Sequence, residues 1–125
     1  LTVTTATTDP TEALLINSGD RIVLPNLCLW KYKVTALAAD AVVSSRFALL
    51  EYTGGIKRTT SAANTALIGT PSRNIDENSG FSGCSLTITA DTSNGALKVS
   101  VVSGSASSTQ WGIRVEALQM LGLAE

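Results

Sequence analysis

CSLTITADTSNGALKVSVVSG, residues 84–104, is the stretch that decides the fold. Cys84, Leu86, Ile88 and Ala90 fall on one side of an alternating segment, with Ser85, Thr87 and Thr89 on the other. Successive side chains of an extended chain point to opposite faces, so this alternation marks a strand with one face toward a core. Asp91-Thr92-Ser93-Asn94-Gly95 then reverses the chain, and Leu97, Val99 and Val101 alternate with Lys98 and Ser100 on the way back. Two such runs around an Asn-Gly turn form a β-hairpin. The turn has the composition of a calcium loop, but a hairpin accounts for it more simply.

The same design recurs on both sides. Residues 1–8 are rich in β-branched residues and predict an edge strand, broken at Asp9-Pro10. Short strands are predicted at 12–16 and 21–24, separated by Asn17-Ser18-Gly19-Asp20 and closed by Pro25-Asn26. Segment 27–39 is the longest. Cys28, Trp30, Tyr32, Val34, Ala36 and Ala38 share one side, while Leu29, Lys31, Lys33 and Thr35 share the other. Segment 45–52 is apolar on both sides, with Phe47 and Leu49 opposite Ala48, Leu50 and Tyr52, which predicts a strand covered on both faces.

Thr53-Gly54-Gly55 is expected to bend the chain before a short strand at 56–58. Residues 59–83 read as a long turn-rich loop with one apolar piece, Ala66-Leu67-Ile68, and so as the place for functional loops. The last strand runs from Thr109 to about residue 118, with Trp111, Ile113, Val115 and Ala117 inward. The tail EALQMLGLAE contains good helix formers and competes as a helix. About eight short strands with little helix make the fold class all-β, an antiparallel β-sandwich of jelly-roll-like kind.

The 125 residues correspond to a single domain. A chain of this length buries roughly 65–70% of its unfolded surface and needs no metal or disulfide to hold a core. Because it starts at Leu1 rather than Met, it reads as the C-terminal part of a longer or processed chain. Residues 1–8 have neither the basic start nor the apolar centre of a signal peptide. Charged residues are only 15%, against about 25% in an ordinary globular domain, and apolar residues are 44%. So little charge leaves part of the surface to be covered by other subunits, or by a Thr/Ser/Ala-rich exterior. The nine basic and ten acidic residues are scattered, with no basic stripe for nucleic acid. No apolar run reaches the ~18 residues of a membrane span. Cys28 and Cys84 lie on apolar sides of strands and read as buried thiols or as a disulfide between sheets. Their spacing excludes a CxxC metal or redox motif.

The chain has no histidine, which removes the commonest general base and the commonest zinc ligand. Ser-His-Asp and Cys-His catalysis are impossible, and no phosphate-cradling glycine motif is present. The reading is therefore a non-enzyme, without catalytic residues, metal or cofactor. Candidate binding residues are Tyr52 beside Thr53-Gly54-Gly55, the polar-side Lys31 and Lys33 with Lys57 and Arg58 nearby, and Asn74, Asp76 and Glu77 in the predicted loop. Clustered Lys and Arg suit a small anionic-glycan contact, though a solvated sheet face has the same composition. Asp76 and Glu77 are adjacent on one segment, unlike a glycosidase pair facing across a cleft. Trp30 and Trp111 fall on apolar sides and read as core rather than as a sugar platform. Phe47 and Leu49, with the apolar tail residues Met120, Leu121 and Leu123, are the candidates for contact between subunits.

The order of these pieces resembles a β-sandwich domain near the C-termini of bacteriophage tail fibre and tailspike proteins. The matching pieces are the Thr-rich opening at 4–12, the Leu-Pro turn in 23–25 and the Trp/Tyr strand at 30–34. They continue with 47–58 ending in Gly-Ile-Lys-Arg, Leu-Ile-Gly-Thr-Pro at 67–71, the hairpin 86–101 and the closing 111–115. The order, rather than any one motif, carries the likeness. Gly54-Gly55 and the two cysteines depart from the family pattern. The resemblance implies a homotrimeric fibre or spike tip in the virion, assembled in the bacterial cytoplasm. It also implies contact with other virion proteins and with host-surface glycan, and it supplies no catalytic residues. A carbohydrate-binding module or lectin, and a trimeric capsid decoration protein, fit the same composition. A self-cleaving chaperone domain lacks an evident nucleophile site.

Overall fold

In the computed structural model, which describes residues 2–7, 11–12, 14, 20–40, 46–77, 84–102 and 109–124, the alternating segments pair into two antiparallel sheets. The strands are β1 (Thr2–Thr7), β2 (Thr11–Glu12), β3 (Ile22–Val23), β4 (Cys28–Asp40), β5 (Phe47–Arg58), β6 (Ala66–Glu77), β7 (Ser85–Asp91), β8 (Ala96–Val102) and β9 (Thr109–Leu121). The first sheet has the order β1-β9-β4-β5-β6. In the second, β8 pairs with β7 and also with the short β2 and β3. One 3₁₀ turn, Ala62–Asn64, joins β5 to β6. The fold is thus the all-β sandwich that the alternation predicts. Its ends nest as in a roll, β1 on β9 and β2 on β8, while β4, β5 and β6 form a meander.

The core lies between the sheets. Tyr32, Val34, Ala36 and Ala38 of β4, Ala48, Leu50, Tyr52 and Ile56 of β5, and Trp111, Ile113 and Val115 of β9 come from the first sheet. Leu86, Ile88, Leu97, Val99 and Val101 face them from the hairpin. Trp111 sits opposite Ala38, which in turn sits opposite Ala48, so small residues make room for the indole. Cys28 and Cys84 are both buried, and no disulfide joins them.

Four expectations need correction. The predicted loop 59–83 contains β6, a 12-residue strand at the sheet edge; residues 78–83 lie outside the described set. Gly69-Thr70-Pro71 do not end that strand. They form a bulge opposite Gly54, between the pairs Thr53–Ser72 and Gly55–Ile68. An edge strand tolerates proline because no ladder hydrogen bond is required on its outer side. Gly54-Gly55 likewise do not break the chain, and residues 47–58 are one strand. The tail forms strand rather than helix through Leu121, because Cys28 and Leu29 pair with Leu121 and Met120. Finally, of the strand predicted at 12–16, Glu12 belongs to β2 and Leu14 to no strand, while residues 13, 15 and 16 lie outside the described set.

β1 pairs with β9 only from Thr109 to Arg114. Among the described residues, β9 beyond Arg114 has β4 on one side and no strand on the other.

Candidate functional site

The register of the first sheet places opposed residues on a common face. On the face turned away from the core, one row is Gly112–Leu37–Leu49–Asp76. The next rows along the strands are Arg114–Thr35–Glu51–Asn74, then Glu116–Lys33–Thr53–Ser72, then Leu118–Lys31–Gly55–Ile68. Met120–Leu29–Lys57–Ala66 completes the set. Two apolar zones therefore flank a charged belt. In the belt, Lys33 lies 3.8 Å from Glu51 and Arg114 lies 3.2 Å from Glu116. Both pairs are solvent-exposed, so they add little stability and serve mainly to keep the belt polar.

The apolar zones are open to solvent. Leu37 is 57% exposed and Leu49 47%, with Phe47 at 46% beside them. At the other end Leu118 is 77% exposed and Met120 58%. This second zone is concave: a groove of about 590 Å³ runs between residues 29–31 of β4, 54–55 of β5 and 118–120 of β9. Of its two glycines, Gly54 gives room on the inner side to the Tyr32 hydroxyl, while Gly55 lies on the outer row beside Ile68. A Cβ on Gly55 would stand 3.3 Å from the Cβ of Ile68 and 3.6 Å from the carbonyl oxygen of Trp30. A smaller cleft of about 300 Å³ lies beside the leucine pair, lined by Leu37, Leu49, Glu51, Asn74 and Asp76.

The predicted site residues separate into those on this face and those beneath it. Lys31, Lys33 and Lys57 are exposed on the outer face. Asn74 and Asp76 are also there, but on β6 rather than on a loop, next to Leu49. Glu77 ends the same strand, opposite Ala48. Tyr52 is not exposed: it is buried, and its hydroxyl accepts a hydrogen bond from the Leu86 backbone N–H at 3.1 Å. Arg58 turns away from Lys57 to the inner side, where its Nη1 donates to the Leu24 carbonyl at 2.8 Å. Phe47, Leu49 and Met120 are exposed as expected of contact residues. Leu121 is exposed on the inner row opposite Cys28. Leu123 is partly buried, and its N–H donates to the Leu27 carbonyl at 3.0 Å.

Trp111 is core, as read from its strand. Trp30 is only partly buried; its indole Nε1 donates to Gln119 Oε1 at 2.8 Å beside the groove. Leu37, Leu118 and Ile68 escaped the sequence reading. The signal was available for Leu37, an apolar residue on the polar side of 27–39. Among the described residues no three His, Cys, Asp or Glu side chains gather as a metal site, and no helix is long and apolar enough to cross a membrane.

No protein-family model matches the chain, and no curated protein or solved structure shows significant similarity to it.

Proposed function

We propose that this chain is a non-enzymatic structural module of a phage tail appendage, a homotrimeric fibre or spike tip that stabilises the appendage and meets the host-surface glycan. The observation that carries the assembly part is the outer face of the five-stranded sheet, where Leu37, Leu49, Phe47, Leu118 and Met120 stand exposed in two zones. Singly exposed apolar residues are ordinary, but clusters rimmed by polar residues mark association surfaces. The place in a virion rests on the order of sequence pieces that resembles tail fibre and tailspike C-terminal domains. Lys33 and Asn74, both exposed on this face, are the candidate groups for glycan contact.

Sedimentation equilibrium at micromolar concentration tests the assembly. A mass of three chains is the expected result. A stable monomer would overturn the proposal.

A further inference from the structure

The two apolar zones of the outer face differ in shape and in the charge around them. The leucine zone carries an acid, Asp76 of β6 opposite Leu49, while in the next row Glu51 is paired with Lys33 and shares the row with Arg114. The groove carries cations: Lys31 forms one wall, and Lys57 sits across from Leu29. Leu37 and Lys31 are six positions apart on β4, or ~20 Å at the usual strand rise. One face thus presents an exposed leucine pair beside Asp76 at one end and a larger apolar groove beside Lys31 and Lys57 at the other.

We propose that the occupant of the groove is a second copy of this chain, docked head to tail: the Leu37–Leu49 pair of one copy seats between Gly55 and Leu118 of the next. The inference rests on the oligomeric reading above and specifies its geometry. In this arrangement Asp76 of one copy faces Lys31 and Lys57 of the other, so opposite charges meet at the contact. A two-fold pairing of leucine zone on leucine zone would instead set acids against acids, and groove on groove would set lysines against lysines. Like charges brought together at an interface cost affinity and select against that arrangement. Cyclic trimers are built from such heterologous contacts, in which each subunit offers two different surfaces.

Blocking each end separately tests the geometry. Leu49→Asp puts a charge in the leucine zone, and Leu118→Asp puts one in the groove wall. Both positions are exposed, so circular dichroism should match the wild type, while melting should fall with the loss of subunit contacts. Head-to-tail docking predicts that each variant alone sediments as a monomer. It also predicts that an equimolar mixture gives a one-to-one pair and nothing larger, because only one intact donor end and one intact acceptor end remain. If the wild type is trimeric but either variant alone stays trimeric, or if the mixture stays monomeric, the docking geometry is overturned while the trimer stands. If the wild type itself is monomeric, the trimer falls and the docking geometry with it.

Discussion

Two tyrosines on neighbouring strands have opposite relations to their surroundings. Tyr52 accepts the Leu86 N–H and so satisfies a backbone donor where the second sheet meets the first. The buried Tyr32 hydroxyl has no hydrogen-bond partner among the described residues, and burial pushes its pKa above the usual phenol value. Deleting an acceptor strands its donor, whereas deleting an unpaired group removes a desolvation cost. Tyr52→Phe should therefore cost about 1–3 kcal/mol, and Tyr32→Phe should be neutral or stabilising by up to ~1 kcal/mol. Urea midpoints measured side by side check this, and a loss for Tyr32→Phe equal to that for Tyr52→Phe would contradict it. Alternation alone put Tyr52 on the inner side with Ala48 and Leu50. The exposure inferred for it came from the adjacent glycines, which a sequence presents as a turn and the sheet absorbs as a bulge.

At the scale of elements, the hairpin of β7 and β8 was fully legible because its turn is locally determined. Asp91 Oδ1 accepts from the N–H groups of Ser93 and Asn94 at 3.1 Å each, and Oδ2 accepts from the Asn94 side chain at 2.7 Å. Gly95, at φ 67°, closes the turn. The Asn94 side-chain bond is the main reason that the Asp91 carboxyl titrates below its ordinary value of 3.8; burial opposes it, and the two backbone donors and Arg21 act in the lowering direction. A carboxyl with a lowered folded pKa contributes stability above its unfolded pKa and loses it as pH falls through the folded one. Stability should thus decline below about pH 4, and Asp91→Asn should flatten that decline. Urea midpoints across the acid range measure both slopes; parallel slopes would rule out this role. β6 was not legible for the opposite reason. Only Leu67 and Ile75 of that strand pack against the core, so too few inward positions exist to display a period. Its pairing is dictated by β5, a partner distant in the argument of any local window.

For the whole molecule, composition gave the scarcity of charge, but not where the exposed apolar surface lies. The 15% of charged residues could have been spread evenly; in the folded chain the sheet register gathers several of them into one belt and leaves apolar zones on either side. That grouping depends on which strands become neighbours, so no linear reading reaches it. The inner side was easier to read, because burial selects residue type at every second position. It placed both cysteines in the core, where they are 0% and 2% exposed. Burial also pushes the Cys28 thiol above its usual pKa, outweighing the lowering by nearby Arg58. Reactivity requires an accessible thiolate, so a thiol reagent near pH 8 should label the native protein negligibly and both cysteines after unfolding. Rapid labelling of the native chain would show that the core opens.

The unpaired stretch of β9 beyond Arg114 matters for anyone attaching something to this protein. β1 runs antiparallel to β9 and its pairing starts at Thr2 opposite Arg114. A segment that precedes residue 1 and keeps the direction of β1 is aimed along residues 115–121, which among the described residues have no strand on that side. An extended, hydrogen-bonding tag would be drawn in as an extra strand beside Leu118 and could mask the groove. A short charged or proline-bearing one would pass it by, so the chemistry of a fusion partner at that end becomes an experimental variable rather than a convenience.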